Sequence, residues 1–219
     1  MLQSQMSRPV IALVAVLALS CGGCTTIYYA AWEQLGKEKR DLLRDNVEAV
    51  HKDQEEVSEQ FEDALTRIKE LYGFDGGDLE DRYDALKRDY DRSVSAADEL
   101  KDRIETVNSI AEDLFSEWET ELGSISDPNL RQRSRAKLDE TKSRFRRMSD
   151  SLAKSERSMD PVLQKFEDQV LFLKHNLNAQ AVGGLEIEVQ DIEREVGRLI
   201  DDLKVSIRRS DEFIQALPE

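Results

Sequence analysis

A long stripe of apolar residues between Leu79 and Glu121 constrains the fold of this chain more than any other feature. Read at alternating steps of four and three, eleven of its thirteen positions are apolar or aromatic, and charged residues crowd the positions between them. This spacing, kept for about six heptads, predicts a long helix with one buried face, as in coiled coils and slender bundles. The thirteen positions are Leu79, Tyr83, Leu86, Tyr90, Ser93, Ala97, Leu100, Ile104, Val107, Ala111, Leu114, Trp118 and Glu121.

Three further segments carry stripes that predict helices of the same kind. The first lies in a helix predicted over residues 28–72, with positions Leu43, Val47, Val50, Gln54, Val57, Phe61, Ala64, Ile68 and Leu71. The second follows Pro128 and comprises Leu138, Phe145, Met148, Leu152, Met159, Val162, Phe166, Leu173 and Leu177. The third comprises Leu185, Val189, Ile192, Val196, Leu199, Leu203, Ser206, Ser210, Phe213 and Leu217.

Glycine, aspartate and proline mark where these helices begin and end. Gly73 is suited to end the first helix, and Asp78 is suited to cap the second. Gly123 ends the second helix, and Asp127 followed by Pro128 starts the third with a capping residue and a proline at its first position. Because Pro161 lies inside the third helix, it predicts a kink or a brief interruption there.

The last two stripes differ in phase by one residue, and the change falls on residues 176–184, which hold two Asn and a Gly pair. We interpret this change as a third reversal of the chain; the alternative is one continuous helix with a stutter. Three reversals predict an all-α fold, an elongated antiparallel bundle of about four long helices running up-down-up-down. Residues 28–219 would form this single domain, with segments 73–78 and 174–184 side by side at one end.

The first residues resemble a bacterial lipoprotein signal. Arg8 precedes an apolar run, Val10–Leu19, that is too short to span a bilayer but typical of a signal-peptide core. Small residues and two cysteines follow, which predicts a signal peptide over residues 1–20 and a lipidated tether over 21–27. The alternative, a disulfide or metal pair, is disfavoured because two cysteines three apart make a poor zinc site and a strained bridge.

Two cysteines compete for the lipid. Ala18-Leu19-Ser20 before Cys21 suits the cleavage motif better than the residues before Cys24. Neither cysteine is followed by the Asp that usually retains such proteins in the inner membrane. We therefore expect an outer membrane lipoprotein that faces the periplasm, anchored to the membrane without spanning it.

Charge is abundant and unevenly spread. The chain has 46 acidic and 31 basic residues and a net charge of −15, which argues against nucleic-acid binding over a broad surface. Residues 28–123 hold 13 basic and 28 acidic residues, whereas residues 128–157 hold 10 basic and 4 acidic ones. The start of the third helix is therefore a candidate membrane-proximal basic patch, unless its side chains pair with the acidic helices. Its residues are Arg131, Arg133, Arg135 and Lys137.

A search for catalytic or metal-binding patterns gives no site. Glu48 and His51 have the spacing of a ferritin-like ligand pair, but they flank the apolar stripe and a solvated face explains them better. The residues Asp75 to Asp78 lack the ligand series of a calcium loop, so a turn and a helix cap explain them. The chain has no phosphate-binding loop and no plausible Ser-His-acid set. We expect no enzyme, no metal and no cofactor.

Several short sequence motifs resemble those of one bacterial family, domain of unknown function 2959, whose members are typically small lipoproteins. The motifs are residues 28–30, 35–37, 39–41, Phe74-Asp-Gly-Gly-Asp-Leu79 and Gln169-Val-Leu-Phe-Leu-Lys-His-Asn-Leu-Asn-Ala179. In that family the lipidated cysteine lies four residues before the Tyr pair, which implies Cys24 where the motif favours Cys21. The resemblance implies no reaction and no ligand.

Two functions remain as hypotheses. The first is a lipid-anchored periplasmic scaffold or adaptor that binds another envelope protein, with homo-oligomerisation left open. The second is an envelope enzyme or small-molecule binder with a site inside the bundle. The family-specific motifs around residues 74–79 and 169–179 fall in or next to predicted loops, where such motifs indicate binding more often than packing. They therefore define a candidate interaction site at the tip far from the membrane. Its residues are Phe74, Asp75, Gly76, Gly77, Asp78, Lys174, His175, Asn176 and Asn178.

Overall fold

The computed structural model describes residues 39–72, 79–176 and 186–217, with the backbone alone for Tyr72 and residues 186–188. Within these ranges the chain forms four α-helices and no β-strand, which confirms the predicted all-α fold. The remaining residues, including the predicted start of the first helix at 28–38, lie outside the described ranges. The helices are α1 (Lys39–Tyr72), α2 (Leu79–Ser124), α3 (Pro128–His175) and α4 (Glu186–Ala216).

The four helices pack in a square arrangement. Each helix contacts its neighbours in sequence, and α4 also contacts α1. Side-chain contacts between α1 and α4 give the directions. Lys69 of α1 bonds Glu193 at 2.6 Å, whereas His51, earlier in α1, faces Asp211, later in α4, at 3.8 Å. The two helices are therefore antiparallel. Since α3 ends at His175 and α4 runs back beside it, the predicted third reversal is confirmed and the continuous helix is wrong.

The apolar stripes form the core. All nine stripe positions of α1 are buried, and so are the central positions of α2. Towards the end of α2 the buried face moves by one residue: Phe115 and Leu122 are buried, whereas Leu114 is half-buried and Glu121 is exposed. The cause is the period of the helix, because 3.6 residues per turn drifts about 20° per heptad against a strict seven-residue repeat.

The connection between α2 and α3 is fixed by local bonds. The Asp127 carboxylate accepts hydrogen bonds from the backbone N–H groups of Asn129 at 2.7 Å and Leu130 at 3.0 Å, as an N-cap does. The guanidinium of Arg131 donates two bonds to the Ile125 carbonyl, at 2.6 and 2.9 Å. The predicted start of α3 at Asp127 and Pro128 is therefore confirmed.

Pro161 does not interrupt α3. The helix continues through it from Pro128 to His175, with the proline on the exposed face. The interruption that the sequence allowed is therefore wrong. Proline removes one backbone hydrogen bond, and on the exposed face the carbonyl left unpaired can bond water.

Candidate functional site

The candidate basic patch lies on a hairpin that projects past the rest of the described bundle. Phe115 of α2, Phe145 of α3 and Phe213 of α4 stack edge to face, with centroid distances of 5.6 and 5.5 Å, and mark one level of the bundle. Beyond this level α4 and the residue after it contribute four described residues, 214–217, whereas α2 has nine, 116–124, and α3 has seventeen, 128–144. We call residues 116–144 the hairpin tip.

The described part of α1 begins near the same level, because Lys39 bonds Glu117 at 2.7 Å. The start of α3 therefore lies at the end of the bundle from which the chain leads back towards Cys21 and Cys24. This is the placement that the up-down-up-down arrangement predicts for the basic residues. At 1.5 Å per residue, the seventeen residues of α3 run about 25 Å past the aromatic level.

The basic residues of the tip differ in their partners. Arg131 is bonded to a backbone carbonyl, so no carboxylate neutralises it there. Lys137 and Arg144 share one carboxylate, that of Glu140, at 3.4 and 2.8 Å. Among the described residues, Arg133 and Arg135 form no ion pair. Pairing with the acidic helices, the alternative for this patch, therefore accounts for part of the basic charge only.

Lys142 is the clearest case of pairing across helices. Its ammonium bonds the Glu119 carboxylate of α2 at 2.6 Å and lies 5.7 Å from the centre of the Phe115 ring. The hydrogen bond from Lys142, followed by its charge and that of nearby Arg135, holds the pKa of Glu119 below its ordinary value. Bonds from Arg144 and then Lys137 lower the pKa of Glu140 in the same way.

Leu130 is a feature of this site that the sequence reasoning missed. Its side chain is 56% exposed, more than Leu171 and Val205, the other exposed large apolar side chains of the described chain. It lies in the first turn of α3, directly before Arg131. The signal was present in the sequence, because Leu130 stands outside the apolar stripe that begins at Leu138.

The candidate distal tip is described only in part. Lys174 and His175 are exposed and Asn176 is half-buried, at the end of the bundle where α1 ends at Tyr72 and α2 begins at Leu79. The other predicted residues of this site, Phe74 to Asp78 and Asn178, lie outside the described ranges. The structure thus brings the boundaries of the two predicted segments to one end of the bundle.

Asn176 has a structural role in the part of this tip that is described. Its side-chain amide donates a hydrogen bond of 2.9 Å to the Phe172 carbonyl, and its backbone N–H bonds the Leu173 carbonyl at 3.1 Å. Both bonds satisfy carbonyls at the end of α3 that have no partner within the helix. Helix capping therefore explains Asn176, one residue of the family-specific motif at residues 169–179.

A charged network joins α1 and α2 towards the distal tip, and the sequence did not indicate it. The Asp89 side chain is only 4% exposed and accepts hydrogen bonds from Arg92 and, at 3.0 Å, from Arg67. Arg67 also bonds Glu70 at 2.8 Å. The hydrogen bond to Asp89, against the opposing effect of burial, raises the pKa of Arg67.

The core itself contains polar stripe positions. Both polar atoms of the Gln54 side chain, and the hydroxyls of Ser206 and Ser210, are buried and have no hydrogen-bond partner among the described residues. By contrast, the buried Ser155 hydroxyl donates to the Leu152 carbonyl at 2.8 Å.

Glu48 and His51, which have the spacing of a ferritin-like pair, lie on the surface, as the interpretation of a solvated face predicts. Glu48 is exposed, and His51 lies 3.5 Å from Glu55 and 3.8 Å from Asp211. No group of three or more His, Cys, Asp or Glu side chains in the described ranges could hold a metal ion. None of the four described helices is long and apolar enough to cross a membrane.

The antiparallel square of long amphipathic helices places this chain in the class of all-α four-helix bundles. The model of one protein family, "Protein of unknown function (DUF2959)", matches residues 28–217, and the chain belongs to this family. No curated protein matches the chain.

Proposed function

We propose that this protein is a lipid-anchored helical scaffold or adaptor of the bacterial cell envelope, held in the outer membrane and facing the periplasm. The first 24 residues support the anchor, because a short apolar core is followed at once by small residues and two cysteines. The lipid would sit on Cys21 or Cys24. The bundle would then stand on the membrane by the end that holds Lys39 and the hairpin tip.

The observation that carries the proposal is the elongated bundle with a core filled by its own side chains. Large side chains such as Phe61, Phe166 and Phe213 are fully buried at stripe positions along the bundle. The 46 residues of α2 alone give a length of about 69 Å at 1.5 Å per residue. Such a rod holds its distal tip far from the anchor and offers exposed helix faces and loops to a partner protein.

The anchor is tested by labelling growing cells with a radioactive or alkyne-bearing palmitate. We compare the wild type, Cys21→Ala, Cys24→Ala and the double variant. Loss of label in one single variant identifies the acylated cysteine, and loss in the double variant supports the anchor. Label that persists undiminished in the double variant, or an unlabelled wild type, contradicts it.

The adaptor role is tested with a photo-crosslinking amino acid placed at the distal tip. Positions 174 and 175 are suitable because both side chains are exposed. Position 204, an exposed lysine near the middle of α4, is the matched control. We expect one discrete crosslinked protein from the tip and none from position 204. The same products from all three positions, or none from the tip, would contradict a partner at this end.

A further inference from the structure

We propose that the hairpin tip rests on the surface of the membrane that holds the anchor. In this arrangement Leu130 enters the headgroup region, and Arg131, Arg133 and Arg135 face anionic phospholipid headgroups. The inference rests on the proposed function, because the lipid anchor makes this end of the bundle the membrane end.

Position is the first argument. The outer part of the tip, between Glu117 and Lys137, projects past the described ends of α1 and α4, so it is the part of the described chain that a surface at this end would meet first. Lys39 lies fifteen positions after Cys24. A chain of that length spans about 22 Å as a helix and about 50 Å when extended. The lipidated cysteine therefore reaches the level of the tip, about 25 Å past the aromatic level.

Charge is the second argument. Residues 128–137 carry four basic and no acidic side chains. The carboxylates near them are mostly engaged: Glu117 bonds Lys39, Glu119 bonds Lys142, and Asp127 caps the helix. Glu121 and Asp139 are the exposed carboxylates of the tip that remain. The surface of α3 that points outward at the tip is thus net positive, although the chain as a whole carries −15.

The exposed leucine is the third argument, and it is independent of the charge. A large apolar side chain that is 56% exposed beside three arginines suits a boundary between apolar acyl chains and charged headgroups. Leu130, Arg133 and Lys137 lie at i, i+3 and i+7 and share one side of α3. Arg131 and Arg135, at i and i+4, share another. Basic side chains therefore flank the leucine on both sides when the helix is viewed along its axis from the tip.

The tip is also held in shape. The Asp127 cap and the two bonds from Arg131 to the Ile125 carbonyl fix the connection before any membrane is present. A rigid tip loses little conformational freedom when it docks. For the same reason Arg131 is unsuitable for mutation, because its loss would disturb the connection as well as the charge.

The first experiment places a photo-crosslinking amino acid at position 130 of the full chain. The purified protein is reconstituted in phosphatidylcholine vesicles containing about one third phosphatidylglycerol, the fraction chosen to mimic an anionic leaflet. Position 171 is the matched control, since Leu171 is the other exposed leucine of α3 and lies at the opposite end. We expect crosslinks to phospholipid from position 130 and none from position 171. Crosslinks from position 130 to protein alone, or equal lipid crosslinks from both positions, would overturn the proposal.

The second experiment reverses the charge at two positions of the tip. Arg133→Glu with Arg135→Glu changes two arginines that form no ion pair in the described chain, and Arg146→Glu with Arg157→Glu makes the same charge change further along α3. A basic residue near an anionic surface shifts the docking equilibrium about fivefold. We therefore expect lipid crosslinking at position 130 to fall by about tenfold or more in the first variant and to stay unchanged in the second. Equal yields in both variants would contradict a role of the patch.

Flotation of the vesicles separates this inference from the anchor. Protein that floats with the vesicles in high salt is held by its lipid, whatever the tip does, since salt screens the contacts of exposed charges. Protein that floats but gives no lipid crosslink at position 130 refutes the tip contact alone. Protein that does not float in high salt refutes the anchor, and the crosslink at low salt then tests the tip by itself.

Discussion

Two stretches of the bundle core differ in composition: one is aromatic and the other contains polar side chains. Phe61 of α1 packs on Phe166 of α3, with ring centroids 5.6 Å apart, and both rings are fully buried. Earlier in α1, Gln54 occupies the same stripe, and α4 contributes Ser206 and Ser210 to the core. The first stretch buries large apolar surface, which stabilises the fold. The second buries polar atoms that find no partner among the described residues, which costs stability.

This difference indicates that the bundle was not built for maximal stability along its whole length. A buried polar residue at a core position of a helical bundle is best known for fixing register and partner choice. We therefore interpret Gln54 as a residue that selects one alignment of α1 with its neighbours. The following predictions test this interpretation, beginning with the largest effect.

Phe166→Ala should lower the free energy of unfolding by about 3–5 kcal/mol, because it removes a buried ring and leaves a cavity opposite Phe61. Urea denaturation followed by circular dichroism measures the change. Leu171→Ala, on the exposed side of the same helix, is the control and should change the stability by less than about 0.5 kcal/mol. Similar losses in both variants would show that the aromatic contact does not set the stability.

Gln54→Leu should raise the free energy of unfolding by about 1–3 kcal/mol, since it replaces an unpaired buried amide with an apolar side chain of similar size. If the glutamine fixes register, the variant should also show broader NMR lines or a second oligomeric state in sedimentation. A destabilised variant would mean that the amide is hydrogen-bonded in solution and that the contrast between the two stretches is wrong.

Asp202→Asn should lower the stability at neutral pH by about 2 kcal/mol, the contribution of hydrogen bonds to a charged group. The Asp202 side chain is 17% exposed and accepts bonds of 2.7 Å from Lys154 and from Ser158 of α3. Burial opposes its ionisation, but the two bonds outweigh burial and hold its pKa below the ordinary 3.8. Unlike the Gln54 side chain, the Asp202 carboxylate at this contact between α3 and α4 has hydrogen-bond partners.

The pH dependence follows from the direction of that shift. A carboxyl whose pKa is lowered by folding stabilises the native state above its unfolded pKa and ceases to do so as the pH falls through the folded value. The difference between wild type and Asp202→Asn should therefore be full at neutral pH and shrink in acid below about pH 4. Asp201→Asn, at an exposed neighbouring position, is the control. A constant difference from pH 7 to pH 2 would contradict the assignment.

The smallest effect is expected from a matched pair of serines. Ser155 and Ser210 are both fully buried, but only the Ser155 hydroxyl has a hydrogen-bond partner in the described chain. Ser155→Ala should lose about 0.5–1.5 kcal/mol, the net worth of one hydrogen bond. Ser210→Ala should lose less or gain slightly. Equal losses in thermal denaturation would show that the two hydroxyls are equally satisfied in solution.

The core could be predicted from the sequence where the helix period alone decides burial. Every stripe position of α1 is buried, because a heptad pattern fixes which face turns inward. The pattern lost accuracy at the end of α2, where accumulated drift brings Phe115 inward in place of Leu114. The pattern also could not predict that α3 continues through Pro161, since this depends on which face of the helix carries the proline.

Contacts between helices were harder to predict than the helices themselves. Asp89 is buried because Arg67 and Arg92 reach it, and one of those arginines lies on another helix. Leu130 is exposed because the hairpin of α2 and α3 extends past the described ends of α1 and α4, which depends on where several helices begin and end. The basic patch was visible in the sequence, but which of its arginines lack carboxylate partners was not.

The order of the helices around the square has a consequence for how the chain acquires its structure. Three of the four most extensive helix contacts join neighbours in sequence, so each closes a short loop and loses little chain entropy. The fourth does not: the pair of Lys69 and Glu193 spans 124 residues. We expect the contacts between neighbouring helices to form first, and the contact between α1 and α4 to close last and open first. Hydrogen exchange measured by mass spectrometry should then show the amides of α1 and α4 exchanging before those of α2 and α3.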